Sequence, residues 1–174
     1  PPSAYLKAKS DLEAKEYGLA KLGFIPYLAE EKFGRDGFLI GLGGGATTDL
    51  AGFVAATYMR GLQWVAVPTS LAGMVDAAIG GKTGINLVGG KNLAGAFHSP
   101  SKVIVDESFL STLSERDVKA GLAEVAKCGF IADSEILSII NRGWRENMSE
   151  LIKRAITVKA RVVSSDFRES YERE

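Results

Sequence analysis

Three short apolar runs mark the first two thirds of the chain: Phe38-Leu-Ile-Gly-Leu42, Trp64-Val-Ala-Val67 and the Val-Ile-Val core of Lys102–Asp106. Strands this short and this continuously apolar are buried on both faces, as in a parallel sheet between helical layers. Helical segments are predicted between them. Thr48-Asp49 introduces the apolar stretch Leu50–Tyr58, while Pro68 stops the second strand and Thr69-Ser70 caps a helix from Leu71 to about Ile79. Strand, glycine turn and helix in alternation predict an α/β unit.

After Leu113 the pattern changes. Ser114-Glu-Arg-Asp117 has the form of a helix start, and Val118–Ile131, Ser134–Ile140 and Trp144 to about Val163 repeat their apolar residues at helical spacing with no strand signal. The prediction is a Rossmann-like parallel-sheet nucleotide domain, residues 1–112, followed by the start of an all-helical domain, residues 113–174. At the other end, Leu12, Leu19 and Leu22 suggest two short helices within residues 1–37, interrupted by Gly23 and Pro26.

The 174 residues are 46% hydrophobic, enough for a substantial core, and 21 basic residues balance 21 acidic ones. The chain as a whole therefore lacks the positive field that attracts nucleic acid or an acidic membrane, and anion selectivity has to be local. One cysteine, Cys128, leaves no disulfide framework and fits a reducing compartment. No secretory leader and no apolar run of about 18 residues is visible, so the expected location is cytoplasmic, with neither membrane nor nucleic acid as partner. Pro1 in place of an initiator Met, and a polar helical pattern running to Glu174, read as cut ends.

The chemistry concentrates between Gly41 and Gly95. Gly41-Leu-Gly43-Gly44-Gly45-Ala46 satisfies the G-x-G-x-x-[GA] pattern of a dinucleotide turn, after a strand and before a helix. An ordinary Rossmann turn also has an acid at the end of the next strand, but that strand ends Val67-Pro-Thr69. Asp49, just inside the following helix, reads either as a cap or as a ligand contact. Gly80-Gly-Lys82-Thr83 is not a P-loop, because its first glycine would fall at Asp76. Lys82 between glycines, with Asp76 before it and Lys91-Asn92 after, reads as polar groups converging on an anion. Glu124 and Lys127, three apart, share a helical face as an ion pair or a metal-ligating site. His98 has no second ligand nearby and reads as structural; Arg60 ends a helix, where a cation suits the dipole.

Taken in order, Gly43–Phe53, Ala56-Thr-Tyr-Met-Arg-Gly61, Val67-Pro-Thr-Ser70, Met74-Val-Asp76, Gly80–Asn86, Gly90-Lys-Asn92 and Gly121-Leu-Ala-Glu-Val125 closely resemble the 3-dehydroquinate synthase family of sugar-phosphate cyclases, from about Phe38 to Arg173. The resemblance implies an NAD-dependent lyase of the shikimate pathway, using zinc or cobalt, that converts 3-deoxy-D-arabino-heptulosonate 7-phosphate to 3-dehydroquinate and phosphate. Transient oxidation by NAD acidifies a C–H, phosphate leaves by β-elimination, the hydride returns and an aldol step closes the ring. It further implies that Gly43, Gly44, Gly45, Ala46, Asp49, Thr69, Ser70 and Lys91 hold NAD, and that Glu124 is a zinc ligand. By the same likeness Asp76, Lys82, Asn92, Lys127, Lys159 and Arg173 face a small phosphorylated sugar-acid substrate, and Arg60 reaches the neighbouring site of a homodimer. The family's other zinc ligands are histidines matching positions beyond Glu174, so the isolated chain is expected to be inactive. The alternatives are another sugar-phosphate cyclase, a metal-dependent polyol dehydrogenase, or, for this chain alone, a noncatalytic nucleotide-binding fragment.

Overall fold

The computed structural model describes residues 23–168. It begins with helix α1 (Phe24–Glu30), where Pro26 occupies the first turn and its missing N–H forfeits no intrahelical bond. Pro26 is thus part of a helix start, not an interruption. The expected helices around Leu12 and Leu19 lie outside the described residues.

Strands β1 (Phe38–Gly43), β2 (Gln63–Pro68) and β5 (Lys102–Val103) form a parallel sheet in the order β1-β2-β5. Leu39 pairs with Trp64, Leu42 with Val67 and Ala66 with Val103. The third strand is shorter than Lys102–Asp106, although the Ile104 N–H still donates to the Ala66 carbonyl at 2.9 Å. Helix α2 (Gly45–Thr57) connects β1 to β2, buries Leu50, Val54 and Ala55, and ends in a tight turn where Met59, Arg60 and Gly61 all have positive φ.

Between β2 and β5 stands an antiparallel hairpin, β3 (Lys82–Leu87) and β4 (Gly90–Phe97), where the glycine density suggested an anion-binding loop. Two of those glycines serve strand approach. A Cβ on Gly95 would lie 2.5 Å from the Thr83 carbonyl oxygen, and one on Gly84 3.0 Å from that of Ala94. Ile85 of β3 packs with Leu50 and Val54 of α2, fixing the hairpin to the α/β unit. His98 is structural, as expected: a ring nitrogen is 2.8 Å from the Leu62 carbonyl, and the Trp64 indole donates to the His98 carbonyl.

The segment after β2 was expected to be a regular helix from Leu71 to Ile79. It begins helically and then widens into a π-turn, Gly73–Ala77, closed by the Ala78 N–H on the Gly73 carbonyl at 3.0 Å. Its apolar residues face the helices that follow. Leu71, Met74 and Val75 form one core with Val125 and Cys128 of α3 (Glu115–Ile131), Ile136 and Ile139 of α4 (Ser134–Gly143), and Leu151, Ile152, Ala155 and Val158 of α5 (Met148–Ser165). Burying each large side chain there is worth about 1.5–3 kcal/mol, so the π-turn is anchored to the helical layer, while Thr69 before it bonds to β1 and Ala78 after it packs in the α/β layer.

The helix starts follow from local chemistry. Ser114 caps α3 by accepting from the Asp117 N–H at 3.2 Å, and Asp133 caps α4 through the Glu135 N–H. Helix α5 starts at Met148, not Trp144. Gly143, with φ 138°, ends α4, and the Asn147 side-chain amide donates to the Gly143 carbonyl across the turn.

Candidate functional site

Gly43 leaves β1 with φ 156°, and a Cβ there would meet Thr47 Oγ1 at 2.6 Å, so the position requires glycine on both conformation and space. No side chain caps the α2 start that follows. Its first N–H groups and the positive end of the helix are therefore directed at whatever sits on the turn. The turn is held from the side by the next crossover. The Thr69 N–H donates to the Gly43 carbonyl at 2.8 Å, Ser70 Oγ lies against Gly44, and Ala77 packs so closely on Gly45 that an added Cβ would approach it to 3.0 Å. Ser70 also caps its own turn, accepting from the Gly73 N–H at 3.2 Å. Ala46 is exposed beside these groups.

Asp49 does not cap α2. It is the fifth residue of the helix, past the positions whose N–H groups a cap serves. Burial, assisted by the negative charge of Asp76, pushes its carboxyl up to about 6. It belongs instead to a charged cluster centred on Asp76.

That cluster draws on four further elements. Lys159 of α5 donates from Nζ to Asp76 Oδ1 at 2.5 Å, and Lys127 of α3 places its Nζ 3.7 Å from the same oxygen. Burial alone would raise the Asp76 carboxyl. The hydrogen bond and charge of Lys159, with the charges of Lys127 and of Lys82 on β3, outweigh it and hold Asp76 below the usual carboxylate range. Lys127 also forms an ion pair with Glu124. Burial pulls its ammonium down, but pairing with Glu124 and the charge of Asp76 more than compensate, so it stays charged.

Of the two readings of the Glu124/Lys127 pair, the ion pair is formed. Glu124 Oε2 is buried and, despite the nearby ammonium, lacks a hydrogen bond of proper alignment. A buried carboxylate oxygen with an open acceptor position suits a cation. Among the described residues, however, no three His, Cys, Asp or Glu side chains gather to hold a metal. Glu124 by itself falls short of the three or more protein ligands that zinc takes.

Other expected site residues stand apart from this cluster. In the β3–β4 register Lys82 pairs with Phe97, five residues along from Asn92, roughly 15 Å at strand spacing. Lys91 and Asn92 thus sit at the far end of the hairpin, where Asn92 adopts φ 55° and its N–H donates to Asn86 Oδ1. The hairpin register separates Lys82 from Lys91-Asn92, whereas the charge of Lys82 acts on Asp76. Arg60 is exposed, with φ 68°, on the turn after α2, and Arg173 lies outside the described residues. Sequence reading missed the coupling of Asp49 to Asp76 and the place of Cys128 beside the cluster. Burial pushes that thiol up, partly opposed by Lys127, which leaves it an inert core group.

The parallel sheet with its glycine turn, followed by a helical layer, is a fold shared with solved cyclases and dehydrogenases. Over 86% of its length the chain superposes on 44% of 2-epi-5-epi-valiolone synthase from Streptomyces hygroscopicus subsp. jinggangensis 5008, solved with NAD+ and Zn2+ bound, at TM-score 0.81 and 28% identity. A 2-deoxy-scyllo-inosose synthase complexed with carbaglucose-6-phosphate, NAD+ and Co2+ shares the fold at TM-score 0.76 and 24% identity, over 91% of this chain and 45% of that one. Residues 11–120 match the family model for the 3-dehydroquinate synthase N-terminal region and residues 121–174 that for its C-terminal region. The chain belongs to the 3-dehydroquinate synthase family. It is 46% identical to the 3-dehydroquinate synthase of Tropheryma whipplei (strain Twist) over 92% of this chain and 46% of the relative. Against that of Thermobifida fusca (strain YX) it is 54% identical, over 84% and 42%. The chain thus spans about half the length of the curated relatives it matches. No helix among the described residues is long and apolar enough to cross a membrane.

Proposed function

We propose that the protein containing this chain is a 3-dehydroquinate synthase, a lyase converting 3-deoxy-D-arabino-heptulosonate 7-phosphate to 3-dehydroquinate and phosphate in aromatic amino acid biosynthesis. The carrying observation is the Asp76 cluster, in which Lys82, Lys127 and Lys159 surround one carboxylate next to a glycine turn built for an anion. The names of relatives at 46–54% identity favour this reaction over that of the other cyclases.

In this reading residues 1–112 belong to the NAD domain and residues 113–174 begin the helical one. Gly43–Ala46 bind the NAD pyrophosphate through backbone N–H groups at the α2 start, with Thr69, Ser70, Asp49 and Lys91 around the cofactor. Lys82, Lys127 and Lys159 orient the anionic oxygens of the substrate and hold charge that develops as phosphate leaves. Asp76 holds those ammoniums in place. Glu124 is this chain's ligand to zinc or cobalt, the others coming from outside the described residues, and Asn92, Arg60 and Arg173 are further substrate contacts, Arg60 across a homodimer interface. When bound, NAD supplies a transient hydride acceptor and the metal a Lewis acid. The cytoplasm is the expected location.

The test is to incubate the full-length protein with NAD, zinc or cobalt, and the heptulosonate phosphate. Phosphate release without net NADH is expected; NADH accumulation would favour a polyol dehydrogenase, and no release with either metal would refute the assignment.

A further inference from the structure

The charges of three ammoniums, Lys82, Lys127 and Lys159, act on Asp76, Lys127 also pairs with Glu124, and Asp49 feels the charge of Asp76. The ammoniums that the reading above gives to the substrate already have an internal partner, and two of them meet it at one atom: Lys159 and Lys127 both lie against Asp76 Oδ1. The placement is rigid on both sides. Asp76 follows Met74 and Val75, buried in the helical core, and Lys159 follows Val158, buried in the same core. Yet the groups remain reachable, with Asp76 32% and Lys127 47% exposed. Lys159 is more enclosed, at 19%, so the half-exposed Lys127 pair is the weaker of the two and the first to be exchanged for a better partner.

We propose that Asp76 is a built-in counter-ion: it holds Lys127 and Lys159 in the positions an anionic substrate group takes, and anion binding transfers both lysines from Asp76 to the incoming group. Asp76 is then a positioning residue that competes with the anion. This uses the site of the proposed function but does not depend on turnover. A residue that merely contacted substrate would lose affinity when neutralised. A competing counter-ion gains it.

The experiment titrates inorganic phosphate into the full-length, NAD-loaded protein by calorimetry. Asp76→Asn is expected to bind phosphate at least about tenfold more tightly than the unmodified protein, with a steeper salt dependence, while Asp76→Glu behaves as the unmodified protein does. Amine acetylation read by mass spectrometry gives a second measure, free of any folding defect in the variant. In the unmodified protein, saturating phosphate should protect Lys127 and Lys159, and Asp76→Asn without phosphate should label them faster. Unchanged or weaker phosphate binding by a folded Asp76→Asn protein, no protection of these two lysines, or no phosphate binding by either protein overturns the proposal. Tighter binding by Asp76→Asn in a protein that releases no phosphate from the heptulosonate would sink the functional assignment and leave the counter-ion role standing.

Discussion

Lys159 Nζ lies 2.5 Å from Asp76 Oδ1 across 83 positions of sequence, joining helix α5 to the π-turn that follows β2. The pair ties the stability of the helical layer to the site. Lys159→Met should cost about 1–3 kcal/mol of stability in urea unfolding, because it leaves a half-buried carboxylate short of its main partner. The pH dependence gives the sign. The depressed pKa of Asp76 stabilises the folded state above the ordinary carboxylate range, and that contribution is lost as pH falls through the folded value. The gap between Lys159→Met and the unmodified protein should therefore be widest near neutrality and close toward acid pH. A gap independent of pH would contradict the pairing.

Asp49 should show the opposite behaviour. Its carboxyl rises from 3.8 to about 6 on folding, so the folded state binds the proton more tightly and the contribution, complete below 3.8, is lost as pH climbs through about 6. Asp49→Asn should be more stable than the unmodified protein above pH 6, by about 1–3 kcal/mol, with no advantage near pH 4. Thermal unfolding across that range measures it.

Gly121 is the closest approach of α3 to the segment carrying Asp76: a Cβ there would lie 2.6 Å from Leu71 Cβ and 2.8 Å from the Ala72 backbone nitrogen. Gly121→Ala should cost about 1–3 kcal/mol, since backbone stands in the way. By shifting α3 it should also move Lys127 away from Asp76 and raise the KM for substrate. Gly89→Ala in the hairpin turn, where the nearest atom is 3.6 Å away, should change stability by less than about 0.5 kcal/mol.

Glu124 carries the metal prediction. Its buried Oε2 without a hydrogen bond should be a ligand in the full-length protein, so Glu124→Gln should lose zinc on dialysis against a zinc buffer that leaves the unmodified protein loaded. Equal zinc content by elemental analysis would assign Glu124 to the ion pair with Lys127 alone.

What was legible in the sequence was local. Continuous apolar runs showed β1 and β2, and Ser114 with Asp117 marked the start of α3, because strand burial and capping depend on adjacent residues. The β3–β4 hairpin was hidden by its own requirements. Gly84 and Gly95 must be small for the strands to approach, and they erase the alternation that Thr83, Ile85 and Leu87 would otherwise display. Val88-Gly89 between two such runs was the available turn signal. The π-turn had no signature beyond helical spacing. The partners of Asp76 come from β3, α3 and α5, and no spacing rule joins positions 76, 127 and 159; only the family resemblance put them in one site.

In the proposed function the lysines gathered around Asp76 form the catalytic anion site. Phosphate release from the heptulosonate by the full-length protein, compared with Lys82→Met, Lys127→Met and Lys159→Met at saturating NAD and zinc, tests it most directly. Each variant should stay folded and lose about 100-fold or more in kcat/KM. Release at the unmodified rate by all three folded variants would contradict the account.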